Sequence, residues 1–235
     1  MILLTVCARG GSKGVKNKNI REIAGKPLIA HTIEVAKKWG KADRIVCSTD
    51  SEEIAKAARD AGAETPFMRP SELATDEVSK MDVIRHAVGE AEKQYGERYD
   101  LIVDLDVTSP VRTSKDLDSC LKIFQENEVD SVFSVTNARK SPYFNMVELN
   151  SDGYAHLSKE PVSPIVRRQD APEVYDMNAS IYFYKREFLM NPETESPMSE
   201  KSAIYVMDDI SSAEIDSELD LAFLEFLIEK GEVSL

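Results

Sequence analysis

Short runs of aliphatic and β-branched residues alternate with longer amphipathic segments along most of the chain. A strand pattern at Ile2–Val6 precedes a helix pattern at Ile29–Lys38, and a strand pattern at Arg44–Cys47 precedes a helix pattern at Glu52–Ala61. Parallel strands need such helical crossovers between them. The sequence therefore predicts an α/β fold with a Rossmann-like, mostly parallel sheet and helices on both faces.

The alternation continues to about residue 136, and we take residues 1–136 as one α/β core. Asp50 and Glu53 stand three residues apart, which predicts a capping box at the start of the second helix. Leu101–Asp106 is typical of a buried central strand that ends on an acid. The remaining predicted elements of this core are helices at Met81–Lys93 and near Lys115–Gln125 and a strand at Ser131–Val135.

The helical period disappears between residues 137 and 201, where six prolines interrupt short strand-like runs. We interpret 137–201 as an inserted, β-rich arm. Its aromatic residues, which include Tyr182, Phe183 and Tyr184, either cover a cleft or a partner subunit or fill a small core under the arm. An apolar arm alone in water would expose a sizeable patch, so we expect a homodimer. Residues 202–235 are predicted to return to the core and to end in a helix at Leu219–Ile228.

The composition excludes several classes of partner. The formal net charge is −13 at pH 7, and binding to nucleic acid depends on basic side chains that release counterions, so we expect no nucleic-acid partner. No apolar run reaches the roughly 18 residues of a membrane-spanning helix, and the opening residues lack a basic leader. We expect no membrane partner and a cytoplasmic location. Cys7, Cys47 and Cys120 form no CxxC pair, which is typical of reduced, buried thiols.

A glycine-rich loop with several basic residues directly follows the first predicted strand. It reads ARGGSKGVKNKN from Ala8 to Asn19. Glycines let backbone N–H groups approach an anion, and ligands of open α/β sheets bind beyond the carboxyl ends of the strands. The spacing fits neither the dinucleotide GxGxxG pattern nor the Walker pattern. In an acidic chain, four clustered cations predict a phosphate-binding site, and these are Arg9, Lys13, Lys16 and Lys18.

Acidic residues occur at two places that could face this loop. Asp104 and Asp106 end the predicted central strand, and Glu214 and Asp216 alternate as they would on an extended segment, so that their side chains project the same way. A triphosphate site needs a divalent cation with hard oxygen ligands. Together with the loop, these acids predict a Mg²⁺ site. Alone, Glu214 and Asp216 would indicate only a solvated surface beside the N-cap of the last helix.

Seven short blocks run in order through nearly the whole chain: ARGGSKG with KNKN, CSTDSEEI, RPSELATD, TSPVR, RRQDAP, DMNASIY and EIDSELD. On these blocks the chain resembles the acylneuraminate cytidylyltransferases, which are bacterial CMP-nonulosonate synthetases, and it is most similar to their CMP-legionaminate branch. The resemblance implies a Rossmann-like domain, a dimerisation arm, CTP as donor, an acidic nine-carbon sugar as acceptor, Mg²⁺, and release of pyrophosphate.

The resemblance also implies roles for residues that match the family's motifs. Arg9 and Lys18 would be catalytic, with Lys18 stabilising the pentacoordinate α-phosphorus. Arg69 and Ser79 would hold the cytidine end of the nucleotide. The other nucleotide contacts would come from Ala8, Gly10, Gly11, Ser12, Lys13 and Asn19, and the sugar contacts from Asp106, Arg168, Gln169 and Asn178.

The chain departs from the family pattern at four places. Val78 and Lys80 flank Ser79 where small residues are common. Asp106 stands where sialic acid enzymes usually have a Gln that touches the sugar, which implies a differently substituted sugar or a metal ligand. Glu214 replaces the first Asp of the metal-binding IDID pattern, which makes Asp216 the safer ligand. Ala179 follows Asn178 where Gly is usual, as it does in the legionaminate branch.

Other functions remain open from the sequence. Neuraminate, pseudaminate or 3-deoxy-manno-octulosonate are alternative acceptors, although the QGDEP-like block of the last family is absent. A non-catalytic CTP sensor could keep the loop, but it would have no need of Asp106, Glu214 and Asp216. An NAD-dependent oxidoreductase would require a glycine pattern that this loop lacks. No general base is assigned, since His31, His86 and His156 lie in no motif.

Overall fold

A computed structural model describes all residues from 1 to 235 as an α/β fold built on one six-stranded sheet. The predicted fold class is confirmed. In chain order the strands are β1 (Ile2–Cys7), β2 (Glu22–Ile23), β3 (Lys26–Pro27), β4 (Arg44–Ser48), β5 (Leu101–Leu105), β6 (Ser131–Asn137), β7 (Val147–Leu149), β8 (Ala155–Leu157), β9 (Tyr175–Lys185) and β10 (Ser202–Val206). The helices are α1 (Leu28–Trp39), α2 (Glu52–Ala61), α3 (Lys80–Tyr95), α4 (Ser114–Glu126), α5 (Arg186–Met190) and α6 (Glu218–Glu229).

The strand order of the central sheet is β10-β6-β9-β5-β1-β4. β1 pairs in parallel with β4 and β5, and β10 pairs in parallel with β6. Only β9 runs antiparallel, between β5 and β6. The carboxyl ends of β1 and β5 are adjacent, because these strands pair in register from Ile2 opposite Leu101 to Thr5 opposite Asp104. The glycine-rich loop and the acids that follow β5 therefore meet at one edge of the sheet.

Apolar residues of the central strands alternate between two buried layers. Leu4 and Val103 pack into one layer with residues of α1, α2, α4 and α6. Leu3 and Ile102 pack into the other layer with residues of α3 and α5. Successive side chains of a strand point to opposite faces, so a strand covered by helices on both sides is apolar throughout. The predicted arrangement of helices on both faces follows directly from this pattern.

The N-cap of α2 differs from the prediction. Ser51, and not Asp50, caps the helix, since its hydroxyl accepts from the Ile54 N–H at 3.4 Å. The Asp50 carboxylate instead accepts from the Gly10 N–H at 2.9 Å. The spacing rule for capping boxes considers only residues of the helix and its cap. It cannot predict that the Asp50 carboxylate is taken by the Gly10 N–H, which lies 40 residues away in the sequence.

The arm is shorter than the predicted segment 137–201. Its last part forms β9 in the middle of the central sheet, where Tyr182, Phe183 and Tyr184 are almost completely buried. These residues belong to the main core, because a continuous apolar run favours a strand covered on both faces. The part that leaves the sheet includes the small hairpin of β7 and β8. Val147, Leu149 and Tyr154 in and beside this hairpin are each at least 63% exposed.

The C-terminal helix α6 packs back on the core, as predicted, through Leu221 and Leu224. A capping box formed by Ser217 and Asp220 starts it. No helix in the structure is both long and apolar enough to span a bilayer.

Candidate active site

A cavity of about 320 Å³ opens beyond the carboxyl ends of β1 and β5. The glycine-rich loop forms one wall, and residues after β5 and before α6 contribute to the others. This is the edge where ligands of open α/β sheets bind. The predicted site residues that line it are Ala8, Arg9, Ser12, Lys13, Lys18, Asn19, Arg69, Asp106 and Asp216.

The loop and the acidic segment before α6 are in direct contact. Lys18 Nζ donates to the main-chain carbonyl of Ile215 at 2.6 Å and lies 3.1 Å from Asp216 Oδ1. A β-carbon on Gly14 would stand 1.9 Å from the carbonyl oxygen of Asp216, so only glycine fits there. The segment is fixed from its other side, since Asp220 accepts from the Asp216 N–H at 3.1 Å. Cation and anion are thus held together at one wall of the cavity.

Two cations of the loop share one acidic partner that the sequence did not reveal. Arg9 and Lys13 both form ion pairs with Asp76. Hydrogen bonds from Lys13 and Arg9 lower the pKa of Asp76. Asn19, which is buried, donates from its side chain to the carbonyl of Arg9 at 2.9 Å and supports the loop from below. Asp76 lies in the RPSELATD block, and that position was the only available signal.

Three residues predicted to bind the nucleotide do not line the cavity. Gly10 directs its N–H to Asp50, and Gly11 also lies outside the lining residues. Ser79 is the N-cap of α3, where its hydroxyl donates to Asp82 Oδ2 at 2.8 Å. In contrast, Arg69 lines the cavity and is buried, with its guanidinium held by Ser48 Oγ at 3.1 Å and the Ser48 carbonyl at 2.5 Å.

Lys80 is a cavity residue that sequence reasoning missed. Its Nζ lies 3.0 Å from Asp106 Oδ2 and 3.1 Å from Asp104 Oδ2. Burial alone would lower the pKa of Lys80, but the two carboxylates outweigh it and raise the pKa well above the ordinary value. Burial alone would likewise raise the pKa of Asp106, but Lys80 and the donors of Thr108 lower it. Asp106 is therefore an ionised carboxylate at neutral pH.

The three acids predicted as metal ligands, Asp106, Glu214 and Asp216, are not gathered into one cluster, and their role as ligands stays a prediction. No group of three or more His, Cys, Asp or Glu side chains is close enough to hold a metal ion. Glu214 lines an adjacent cavity and accepts from Thr108 Oγ1 at 3.3 Å. Burial, then Asp216, then Asp106 raise the pKa of Glu214.

The residues predicted to contact the sugar from the arm lie elsewhere. Arg168 and Gln169 line a second cavity of about 380 Å³ within the arm, and Arg168 Nη2 donates to the Ala138 carbonyl at 2.9 Å. Asn178 is buried, and its Oδ1 accepts from Ser134 Oγ of β6 at 2.7 Å, so its side chain joins β9 to β6. Ala179 has a φ of 48°, which explains why glycine is usual at this position.

Arg112, in the TSPVR block, shapes the turn after β5. It is buried and donates to the carbonyls of Asp106 at 2.7 Å, Ser109 at 2.8 Å and Ser180 at 3.0 Å. Burial lowers the pKa of Arg112 to about 10, so it stays charged at neutral pH. A guanidinium can satisfy several carbonyls at once because its donors form a fixed fork. This fork holds the turn that carries Asp106 and Thr108.

Comparisons with known proteins identify the family of the chain. The family model described as cytidylyltransferase matches residues 3–226. The chain is 42% identical over 229 residues to the post-translational flagellin modification protein B of Campylobacter coli, a match that covers 97% of this chain and 95% of that protein. It is 41% identical over 233 residues to the CMP-N,N'-diacetyllegionaminic acid synthase of Campylobacter jejuni, covering 99% of this chain and 97% of that protein.

Solved structures show the same fold at lower identity. CMP:2-keto-3-deoxy-manno-octonic acid synthetase, solved with CTP, superposes with a TM-score of 0.71 at 18% identity and covers 98% of this chain and 99% of that chain. The 4-diphosphocytidyl-2C-methyl-D-erythritol synthase of Anaerococcus prevotii gives a TM-score of 0.65 at 11% identity, with coverages of 97% and 98%. With a family model that spans nearly all of its length, the chain belongs to the cytidylyltransferase family and is a nucleotidyltransferase.

Proposed function

We propose that this protein transfers CMP from CTP to the anomeric hydroxyl of a nonulosonic acid of the legionaminate type and releases pyrophosphate. The observation that carries the proposal is the contact of Lys18 with Asp216 at the wall of a cavity that also holds Arg9 and Arg69. A basic loop facing an acidic residue suits a triphosphate with its cation. The full-length similarity to a CMP-N,N'-diacetyllegionaminic acid synthase supports the choice of sugar.

We infer that Mg²⁺ is the cofactor and that Asp216 and Glu214 hold it. Mg²⁺ is usually bound by one or two carboxylates together with substrate phosphates, so a complete protein-only cluster is not required. Burial, and then the charges of Asp216 and Asp106, raise the pKa of Glu214, and a bound divalent cation would stabilise the ionised form of this carboxylate. When bound, the ion would neutralise charge on the phosphates during transfer.

The residues of the chain supply positioning and charge. Arg9, Lys13 and Lys18 would face the phosphates, and Lys18 would donate to the oxygens of the attacked phosphorus. Because its Nζ is already fixed by the Ile215 carbonyl and Asp216, little reorganisation would be needed as negative charge develops. Arg69, which is held rigidly by Ser48, would orient the nucleoside end.

We propose a homodimer that forms through the arm. The exposed apolar residues Val147, Leu149 and Tyr154 support this, since large apolar side chains concentrated in one small hairpin are typical of a contact surface. The role of Arg168 and Gln169 in binding the acidic sugar stays a proposal, because within one chain they line a separate cavity. Light scattering of the purified protein tests the dimer, and a monomer at micromolar concentration would contradict it.

The experiment for the function is an assay of pyrophosphate release from CTP with Mg²⁺ and a panel of nonulosonic acids. The panel contains N,N'-diacetyllegionaminate, N-acetylneuraminate, pseudaminate and 3-deoxy-manno-octulosonate. Turnover of the first sugar in clear preference to the others is expected. CTP binding without turnover of any sugar would refute the enzymatic proposal in favour of a sensor.

A further inference from the structure

Lys80 occupies the first position of α3, and its side chain reaches the end of β5. Its Nζ lies between two carboxylates, 3.0 Å from Asp106 Oδ2 and 3.1 Å from Asp104 Oδ2. The same atom lies 4.2 Å from the ring centroid of Tyr182, which is within the range of a cation–π contact. Three elements of the fold, α3, β5 and β9, thus fix the position of one ammonium group.

The two carboxylates have different surroundings. The Asp104 side chain is only 1% exposed, does not line the cavity, and accepts from Thr5 Oγ1 at 2.7 Å. The Asp106 side chain is 24% exposed and lines the cavity together with Lys80. Lys80 therefore connects a buried anion, for which it is the counter-ion, to an anion that a ligand can reach.

The hydrogen bonds of Asp106 leave at least one acceptor position free. Oδ1 accepts from the Thr108 N–H at 3.2 Å, and Oδ2 accepts from Lys80 at 3.0 Å. Oδ1 also lies 3.1 Å from Thr108 Oγ1, whose single proton is shared between Asp106 and Glu214. An ionised carboxylate offers about four lone-pair positions and no donor. A ligand group that meets the remaining position must therefore donate a hydrogen bond.

We propose that Lys80 is a positioning residue for sugar specificity, which anchors Asp106 so that its free acceptor position receives an N–H or O–H of a sugar substituent. This inference rests on the cytidylyltransferase function proposed above. An amide side chain in place of Asp106 would offer both a hydrogen-bond donor and an acceptor. It would therefore discriminate less between sugar substituents that donate and those that accept. An anchored carboxylate disfavours sugar substituents that can only accept hydrogen bonds. The facing oxygen atoms of the carboxylate and of the substituent would both lose water without gaining a hydrogen-bond donor.

The first test uses Asp106→Asn, which keeps the side-chain shape and leaves Lys80 paired with Asp104. Steady-state pyrophosphate release is measured with CTP, Mg²⁺ and three matched sugars, which are N,N'-diacetyllegionaminate and its two analogues that each carry one N-methylated acetamido group. The wild type is expected to prefer one N–H over its methylated counterpart by about 10- to 100-fold in kcat/KM, the scale of one hydrogen bond to a charged group. In Asp106→Asn the preference should fall below about threefold, while the KM for CTP changes little.

The second test uses Lys80→Met, which keeps an unbranched apolar stem but removes the ammonium. It should lose the same sugar preference, and combining it with Asp106→Asn should add no further loss, because both changes act through one carboxylate. Lys80→Met leaves the Asp104 carboxylate buried without its counter-ion, which can destabilise the fold. The double variant Lys80→Met/Asp104→Asn removes the Asp104 charge as well and serves as the control. Thermal unfolding is followed for each variant.

Two results would overturn the inference: an unchanged sugar preference in Asp106→Asn, or a rise in the KM for CTP in Lys80→Met as large as that for the sugar. The second result would indicate a merely structural role. If the wild type turns over no nonulosonic acid, the proposed function itself fails, and the inference fails with it.

Discussion

Gly14 lies against the main-chain carbonyl of Asp216 so closely that a β-carbon on residue 14 would stand 1.9 Å from that oxygen. The contact joins a loop near the start of the chain to a segment near its end. Both residues line the cavity, so the contact lies where the basic loop meets the acid that we propose as a metal ligand. The pairing of Lys18 with Asp216 depends on the same close approach.

Gly14→Ala should lower kcat/KM for CTP by about 100-fold, because displacing Asp216 by about 1 Å misplaces a group that must align with the phosphates. The control is Gly89→Ala in α3, where an added β-carbon meets no atom within 4 Å. That control should keep full activity and gain roughly 0.5–1 kcal/mol of stability, since alanine is the better helix former. An active Gly14→Ala enzyme would show that the loop and segment can separate without consequence.

Lys18→Ala should lower kcat by about two to three orders of magnitude, the loss found when one donor to a developing negative charge is removed. Lys16→Ala is the matched control, because Lys16 is an exposed cation of the same loop outside the cavity. Single-turnover measurements at saturating CTP separate the chemical step from binding. A nearly normal rate for Lys18→Ala would refute the assigned role.

Ala24→Asn should stabilise the protein. Ala24 and Gly25 form the two-residue turn between β2 and β3, with φ angles of 50° and 77°. Two positive φ angles indicate a type I′ turn, which favours Asn-Gly, and the left-handed conformation costs alanine about 1 kcal/mol. Relief of part of this cost should raise Tm by roughly 2 °C for a chain of this size. Ala24→Val should lower Tm, and the reverse order of the two variants would contradict the turn assignment.

Glu97 should contribute to acid stability. It forms a two-pronged pair with Arg44, at 2.9 and 2.8 Å, and accepts from the Tyr99 hydroxyl at 2.7 Å. Hydrogen bonds from Arg44 and Tyr99 lower the pKa of Glu97 to about 2. A carboxyl group whose pKa is lower in the folded protein than in the unfolded chain stabilises the fold at any pH above the pKa of the unfolded chain. This stabilisation is lost as the pH falls from about 4.5 toward 2. Urea unfolding of Glu97→Gln should therefore show a weaker pH dependence in this window than the wild type.

Much of the fold could be predicted from local patterns. Strands such as β1 and helices such as α2 follow from periods of two and of 3.6 residues, which are properties of the backbone itself. β9 could not be assigned in this way. The prolines that precede β9 and its run of aromatic residues are a pattern that we interpreted as part of the arm. Only the pairing of β9 with β5 and β6 shows that it completes the central sheet.

The site was partly predictable for a similar reason. Arg9, Lys18 and Asp216 carry their chemistry in motifs, and the structure brings all three to one cavity. Asp76 ends the RPSELATD block without an assigned role, and Lys80 lies in none of the blocks. The structure shows the partners of both residues, which are the loop cations for Asp76 and two carboxylates for Lys80. Asn178 lies in a motif but outside the cavity, where its amide is hydrogen-bonded to Ser134, and its contact with the sugar stays a prediction.

By itself the sequence determined the alternation of strands and helices, the basic loop after the first strand and the acids that suit a metal-bound triphosphate, because each of these is encoded in neighbouring residues. Only the tertiary structure decided which acid stands beside which cation. Lys18 and Asp216 are 198 residues apart, and Lys80 and Asp106 are 26 apart. The physical reason is that such contacts depend on how the strands order themselves in the sheet and on how tightly the loops pack over its edge, which no local period records.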